Sequence, residues 1–101
     1  MRHITRQMTA SVLNQLGPTF DTHLVEKRLL RWHSAAVASE ILEFSQAQDT
    51  LHQFSAQLGK WIDLEFRGQI RQTQKVRTEN LGGEMSMNQQ WERTNAGTPI
   101  A

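Results

Sequence analysis

The sequence contains no cysteine among its 101 residues. That absence excludes disulfide bonds, thiol chemistry and cysteine-ligated zinc, and it is compatible with the cytoplasm. No run of apolar residues approaches the roughly 18 that a membrane-spanning helix requires. Residues 1–8 also lack the continuous apolar core of a secretory signal. We therefore expect a cytoplasmic protein that does not span a membrane.

Apolar residues are scarce, at 38% of the chain, and the mean hydropathy of −0.56 is polar. A chain of this length forms one domain, and its core should be modest. Three tryptophans and four phenylalanines carry much of that core's volume, because aromatic side chains bury the largest area. We expect Trp32, Trp61 and Trp91 to share the core. The alternative for Trp61 and Trp91 is exposure as a stacking platform for single-stranded bases.

The net charge of the chain is only +1, but the cations are unevenly placed. The segment from residue 67 to residue 78 contains four cations and no acid. Such local asymmetry is typical of a surface that faces an anion. The four cations are Arg67, Arg71, Lys75 and Arg77.

Apolar residues recur at helical spacing through the first half of the chain. The spacing predicts a helix over 4–16, within an N-terminal arm of residues 1–18 that packs on the core or, as the alternative, forms a dimer contact. Asp21 is predicted to cap a helix that runs to Trp32. A helix rich in small residues is predicted over 35–44, and these residues would allow another helix to approach closely.

The segment 49–66 is predicted to be the last helix, with an apolar stripe on one side. The apolar stripe consists of Leu51, Phe54, Leu58, Trp61 and Ile62. The other side carries neutral polar residues and a single charge: His52, Gln53, Ser55, Gln57 and Lys60. A short connection joins this helix to the preceding one, an arrangement typical of a helix-turn-helix.

After Phe66 the sequence period changes from that of a helix to that of a strand. Over 69–77, alternation places Arg71, Lys75 and Arg77 on one strand face, together with a threonine. Three cations on one face repel each other unless they are solvated or paired with an anion. This strand is therefore predicted to face either solvent or an anionic partner.

A turn signal follows at residues 80–83, because asparagine and glycine tolerate positive φ. Alternation then resumes over 84–91, so the pattern predicts a β-hairpin within 67–91. Residues 94–101 are predicted to be a disordered tail. The helical domain with its C-terminal hairpin accordingly spans 19–93.

Together these elements predict a mainly α fold with a C-terminal β-hairpin, an α+β domain of three to four helices and a two-stranded wing. The layout is winged-helix-like, in which the last helix enters the major groove and the hairpin touches the flanking backbone. Glutamine suits the N6 and N7 atoms of adenine, and the cations would neutralise phosphates. The candidate nucleic-acid-binding residues are Gln53, Gln57, Lys60, Arg67, Arg71, Lys75 and Arg77.

The leading functional hypothesis is a small DNA-binding regulator or accessory protein in transcription, acting as a homodimer through its N-terminal helix. The alternative is a non-enzymatic protein-interaction or self-assembly module. The sequence has no nucleophile elbow and no glycine-rich phosphate loop. His23 and Glu26, three residues apart, make only half of a metal-binding pair. We therefore expect no catalysis, no cofactor and no metal.

Three short stretches resemble segments of small uncharacterised bacterial proteins. They are Phe-Asp-Thr-His at residues 20–23, the run of residues 50–59, and residues 78–82 together with Trp91. The resemblance covers about residues 20–93. It implies a compact, winged-helix-like helical domain with a hairpin, and it implies no active residue.

Overall fold

A computed structural model describes all 101 residues as four helices and three strands. The elements are α1 (Arg6–Gln15), β1 (Thr19–Asp21), α2 (Thr22–Trp32), α3 (Ser34–Leu42), α4 (Thr50–Glu65), β2 (Ile70–Glu79) and β3 (Met85–Arg93). The predicted mixed α+β fold with a C-terminal hairpin is confirmed. None of the four helices combines the length and apolarity needed to cross a bilayer.

The sheet has three antiparallel strands in the order β1-β3-β2, where a two-stranded hairpin was predicted. The additional strand, β1, pairs Phe20 with Trp91 of β3, and the two ring centroids lie 6.1 Å apart. Three residues are too few for strand alternation to be recognised in the sequence. The prediction of only two strands is therefore wrong.

Side-chain caps fix the starts of three helices. Thr5 Oγ1 accepts from Met8 N at 3.1 Å ahead of α1. Asp21 Oδ1 accepts from Leu24 N at 2.8 Å ahead of α2, which confirms the predicted cap. Asp49 caps α4 in the same way, at 3.2 Å. These bonds satisfy amide groups that the first turn of a helix leaves without partners.

The hydrophobic core lies between α1, α2, α4 and the inner side of the sheet. Val12 and Leu13 of α1 are fully buried in it. The apolar side of the N-terminal helix therefore packs against the rest of the same chain. Of the three tryptophans, Trp91 is fully buried, whereas Trp61 is half-buried and Trp32 is 39% exposed. The expectation that all three share the core therefore holds fully for Trp91 alone.

The C-terminal segment 94–101, predicted to be disordered, runs back over α1. Ile100 is 5% exposed and belongs to the core. Asn14 Nδ2 donates to Ile100 O at 2.8 Å, and Ile100 N donates to Asn14 Oδ1 at 2.8 Å. A single apolar residue and a partner far away in the sequence leave no periodic signal, which is why the sequence pattern missed this contact.

Candidate functional site

Helix α4 turns its apolar side inward and its neutral polar side outward. Phe54, Leu58 and Ile62 are fully buried. Gln53 and Gln57 are exposed, as predicted. Leu51, which the spacing placed on the apolar stripe, is instead exposed and lies beside the hairpin turn.

The hairpin strands do not alternate regularly, because their register shifts between Gln72 and Lys75. Two residues of β2, Thr73 and Gln74, there lie opposite Gln90 alone, which is a β-bulge. The Thr73 hydroxyl holds the bulge by donating to Gln90 Oε1 at 2.9 Å. One inserted residue moves every later side chain of β2 to the other face of the sheet.

Because of the bulge, Arg71 lies on the face opposite Lys75 and Arg77. Its guanidinium donates to the carboxylate of Glu92, the residue directly opposite it on β3. The prediction that these three cations share one strand face is therefore wrong. The other predicted cations take part in none of the five ion pairs of the structure: Lys60, Arg67, Lys75 and Arg77.

A cleft of about 630 Å³ separates α4 from the hairpin. Lys60 of α4 and Lys75 of β2 both line it, so the fold brings two of the predicted cations to one cleft. Gln57 lines a second groove, on the α3 side of α4, and Lys60 lines that groove too. The remaining candidates line neither groove: Gln53, Arg67, Arg71 and Arg77.

A buried hydrogen-bond network joins α2 to the hairpin, and two of its members, His23 and Asn88, line the cleft. His23 N donates to Asn88 Oδ1 at 2.9 Å. Asn88 Nδ2 in turn donates to Thr78 Oγ1 at 3.0 Å and to Val76 O at 3.2 Å. A single asparagine thus connects the start of α2 to both strands. Its own position, at 8% exposure, is nearly closed to solvent.

His23 completes the network through its ring. The Nδ1 atom lies 3.0 Å from Thr78 Oγ1 and 3.2 Å from Thr78 O. Burial lowers the pKa of His23, although the bond to the Thr78 carbonyl and the charge of Asp21 act in the opposite direction. A neutral ring with its proton on Nδ1 fits this position, because a carbonyl oxygen can only accept.

Glu26, one turn further along α2, lies in the wall of the same cleft and is 1% exposed. Its Oε1 atom has no hydrogen-bond partner. Burial raises the pKa of Glu26 to about 7, the nearby Ser55 hydroxyl lowers it, and Asp21 and Lys27 make smaller opposing contributions. The carboxyl group therefore changes its charge near neutral pH.

The sequence pattern drew attention to Glu26 as half of a metal-binding pair with His23, and not as a buried acid. The available signal was its position: Thr22, Val25, Glu26 and Leu29 follow the i, i+3, i+4, i+7 spacing of a buried helix face. All four are buried. An acid on such a face is informative because glutamate is almost never fully buried without a partner.

Comparison with known proteins assigns no family. No family model, curated protein or solved structure matches the chain. The structure also places no group of three or more histidine, cysteine, aspartate or glutamate side chains where they could hold a metal ion.

Proposed function

We propose that the protein is a small DNA-binding regulator or accessory protein with a winged-helix architecture. The observation that carries this proposal is the order of the sheet, β1-β3-β2, with β1 between α1 and α2 and the hairpin directly after α4. In a winged helix, the helix before the hairpin enters the major groove and the hairpin contacts the flanking backbone. Here α4 is the reading helix and β2–β3 is the wing.

The outward side of α4 supplies the residues for base contacts. Gln53 and Gln57 lie one turn apart and are exposed, and neither side chain is engaged within the protein. A glutamine amide can pair with the N6 and N7 atoms of adenine in the major groove. Lys60, on the following turn, is suited to a phosphate beside the contacted bases.

Unpaired cations on α4 and the wing supply the electrostatic attraction. Lys60, Lys75 and Arg77 have no acidic partner in the protein, and neither has Arg67 beyond the end of α4. If all four contact phosphate, log Kobs should fall against log salt with a slope of about −3.6. Arg71 contributes less, because Glu92 already neutralises it.

Fluorescence anisotropy with labelled duplex DNA at several salt concentrations tests the proposal. We expect Lys75→Ala to weaken binding and to make the salt slope shallower by about 0.9. The matched control is Arg31→Ala, which removes one exposed cation in the last turn of α2 and should leave the slope unchanged. Equal losses in both variants, or no retention on duplex DNA at low salt, would contradict DNA binding by this surface.

Loss of a base contact should change the sequence preference of binding and not its salt dependence. Gln57→Ala should change the preference among duplex sequences while leaving the salt slope intact, because the side chain is uncharged. Binding-site selection with the wild type and this variant measures the effect. Identical preferences in the two proteins would remove Gln57 from the reading surface.

The alternative function, a non-enzymatic protein-interaction or self-assembly module, is supported by the groove between α3 and α4. Four of its nine lining residues are hydrophobic, including Trp61 and Leu64, and Leu64 is 64% exposed. Light scattering across a range of protein concentrations tests self-assembly. A dimer that Leu64→Lys dissociates, in a protein without affinity for DNA, would favour this alternative over the first proposal.

A further inference from the structure

Most of the residues that line the cleft between α4 and the hairpin are polar or charged. Only five of its 22 lining residues are hydrophobic, so polar and charged residues outnumber the hydrophobic ones in its walls. Its volume of about 630 Å³ falls within the range of small-molecule sites. The occupant that suits these walls is a small hydrophilic molecule.

Glu26 gives the cleft an acceptor that the protein does not use. The residue is buried to 1% exposure, yet no donor in the chain reaches its Oε1 atom. Buried polar atoms almost always have partners, and an orphaned one calls for an explanation. A donor group on a bound molecule would supply the missing hydrogen bond.

The charges around the cleft favour a positive ligand. Four of the lining residues are acids and two are lysines, which leaves two negative charges in excess when Glu26 is ionised and both histidines are neutral. None of the four acids takes part in an ion pair within the protein. The acids are Glu26, Asp49, Asp63 and Glu84, and the lysines are Lys60 and Lys75.

We propose that this cleft binds a small organic cation whose ammonium or guanidinium group donates a hydrogen bond to the carboxyl group of Glu26. Such a bond is charge-assisted and would form in a site screened from water, where it is stronger than at the surface. A bound cation also favours the ionised form of the carboxyl group. Binding at this cleft does not depend on the proposed recognition of DNA.

Asp63 of α4 is a second acid in the wall of the cleft. Its Oδ1 atom accepts from the indole nitrogen of Trp91 at 3.2 Å, which fixes the carboxyl group in the wall. The second oxygen has no donor from the protein and remains available to a ligand. Glu26 of α2 and Asp63 of α4 thus each bring a carboxyl group to the cleft.

Calorimetric titration of the whole chain at pH 8 with three four-carbon probes tests the charge preference. The probes are putrescine, succinate and 1,4-butanediol, which differ in charge but not in length, and agmatine adds a guanidinium group. We expect putrescine or agmatine to bind with a Kd below about 1 mM, and at least tenfold more tightly than the other two probes. No cation binding, or a preference for succinate or the diol, would overturn the proposal.

Two variants locate the binding. Glu26→Gln should weaken cation binding at least tenfold, because it removes the charge from the acceptor. Glu65→Gln removes an equal charge outside the cleft, from an exposed residue at the end of α4, and should change the Kd less than twofold. Equal weakening in both variants, or none in Glu26→Gln, would overturn the assignment to this cleft.

A blocking variant covers the case in which Glu26→Gln alters folding. Ala56 lines the cleft from α4, and Ala56→Leu keeps a good helix former there while it fills the space. Circular dichroism checks the fold, and the titration should then show binding lost. Persistent binding in a folded Ala56→Leu protein would place the cation elsewhere and refute the proposal.

Discussion

The N-terminal segment and the cleft are each built around a buried glutamate, and the two glutamates differ in their partners. Glu40 of α3 is 2% exposed, and its Oε1 atom accepts from the backbone N–H groups of Arg2, His3 and Ile4 at 3.0, 2.8 and 3.0 Å. Glu26 is equally buried, and its Oε1 atom accepts nothing. Burial alone therefore does not distinguish a carboxylate that holds the fold from one that is free to bind.

The consequences for the chain are opposite. Glu40 orders the residues before α1 and so brings Ile4 into the core. The Oε1 atom of Glu26 gains no hydrogen bond in return for its desolvation, which destabilises the charged form of the folded protein. The following changes test this contrast, from the largest expected effect to the smallest.

Glu40→Ala should cost about 4 kcal/mol in the free energy of unfolding, because three hydrogen bonds to a buried acceptor are lost together. Urea denaturation at pH 7 measures it. Glu43→Ala, on an exposed residue just beyond α3 that bonds the His3 ring, is the control and should cost much less, because solvent screens an exposed contact. If both variants lose the same small amount, Glu40 does not hold the N-terminal segment.

Glu26→Gln should instead raise the free energy of unfolding at pH 8, by roughly 3 kcal/mol. The pKa of Glu26 rises from 4.5 to about 7 on folding, so the folded state binds more protons than the unfolded state between those values. Wild-type stability from this group accordingly falls as the pH rises through that window. The variant lacks the titration, so its advantage should be near zero at pH 4.5 and complete above pH 7.

Denaturation of both proteins at pH 4.5, 6 and 8 measures that difference. The lowered pKa of His23 acts in the opposite direction, since a group that loses affinity for protons on folding adds stability as the pH rises. Its contribution is common to both proteins and cancels between them. A difference that does not grow with pH would show that Glu26 is not desolvated in the folded chain.

Asn14→Ala extends the contrast to a polar side chain at the surface that does have partners. Loss of its two hydrogen bonds to Ile100 should cost about 1 kcal/mol, because neutral bonds near solvent contribute modestly. Hydrogen exchange should also become faster at the Ile100 amide. Unchanged protection there would mean that the C-terminal segment is held by packing alone.

Arg71→Ala should have the smallest effect, no more than about 0.5 kcal/mol, because an exposed ion pair is well screened by solvent. Thermal denaturation of this variant beside Lys75→Ala gives the comparison. Both should be nearly neutral for stability. A substantial loss in Arg71→Ala would show that its contact with Glu92 fixes the register of the hairpin.

Much of the fold could be predicted because it depends on local chemistry. The helices follow from apolar spacing, the cap at Asp21 from a short carboxylate side chain, and the hairpin from alternation on either side of a turn. That turn is closed by Asn80, whose Oδ1 accepts from the N–H groups of Gly82 and Glu84 at 2.9 and 3.0 Å. Gly83 adopts a φ of +83°, as the composition of the turn led us to expect.

The features that escaped prediction depend on pairing between distant residues. Strand β1 exists only because β3 lies beside it, and the bulge at Thr73 and Gln74 is defined only by its partner Gln90. The bulge moved two cations to the other sheet face, so the strand face assumed for Arg71, Lys75 and Arg77 was wrong. Glu26 was missed because its place on the buried face of α2 was not taken into account.

Asn88 has a mechanical consequence for the cleft. By bonding to the start of α2 and to both Val76 and Thr78, it joins the half of the hairpin next to the turn to the helical body. In the turn itself, a Cβ placed on Gly82 would lie only 3.6 Å from Leu51 on α4, so the turn also rests against the helices. With this half of the hairpin held at two places, the gap keeps its width before anything enters it, and little conformational entropy is lost when it is filled.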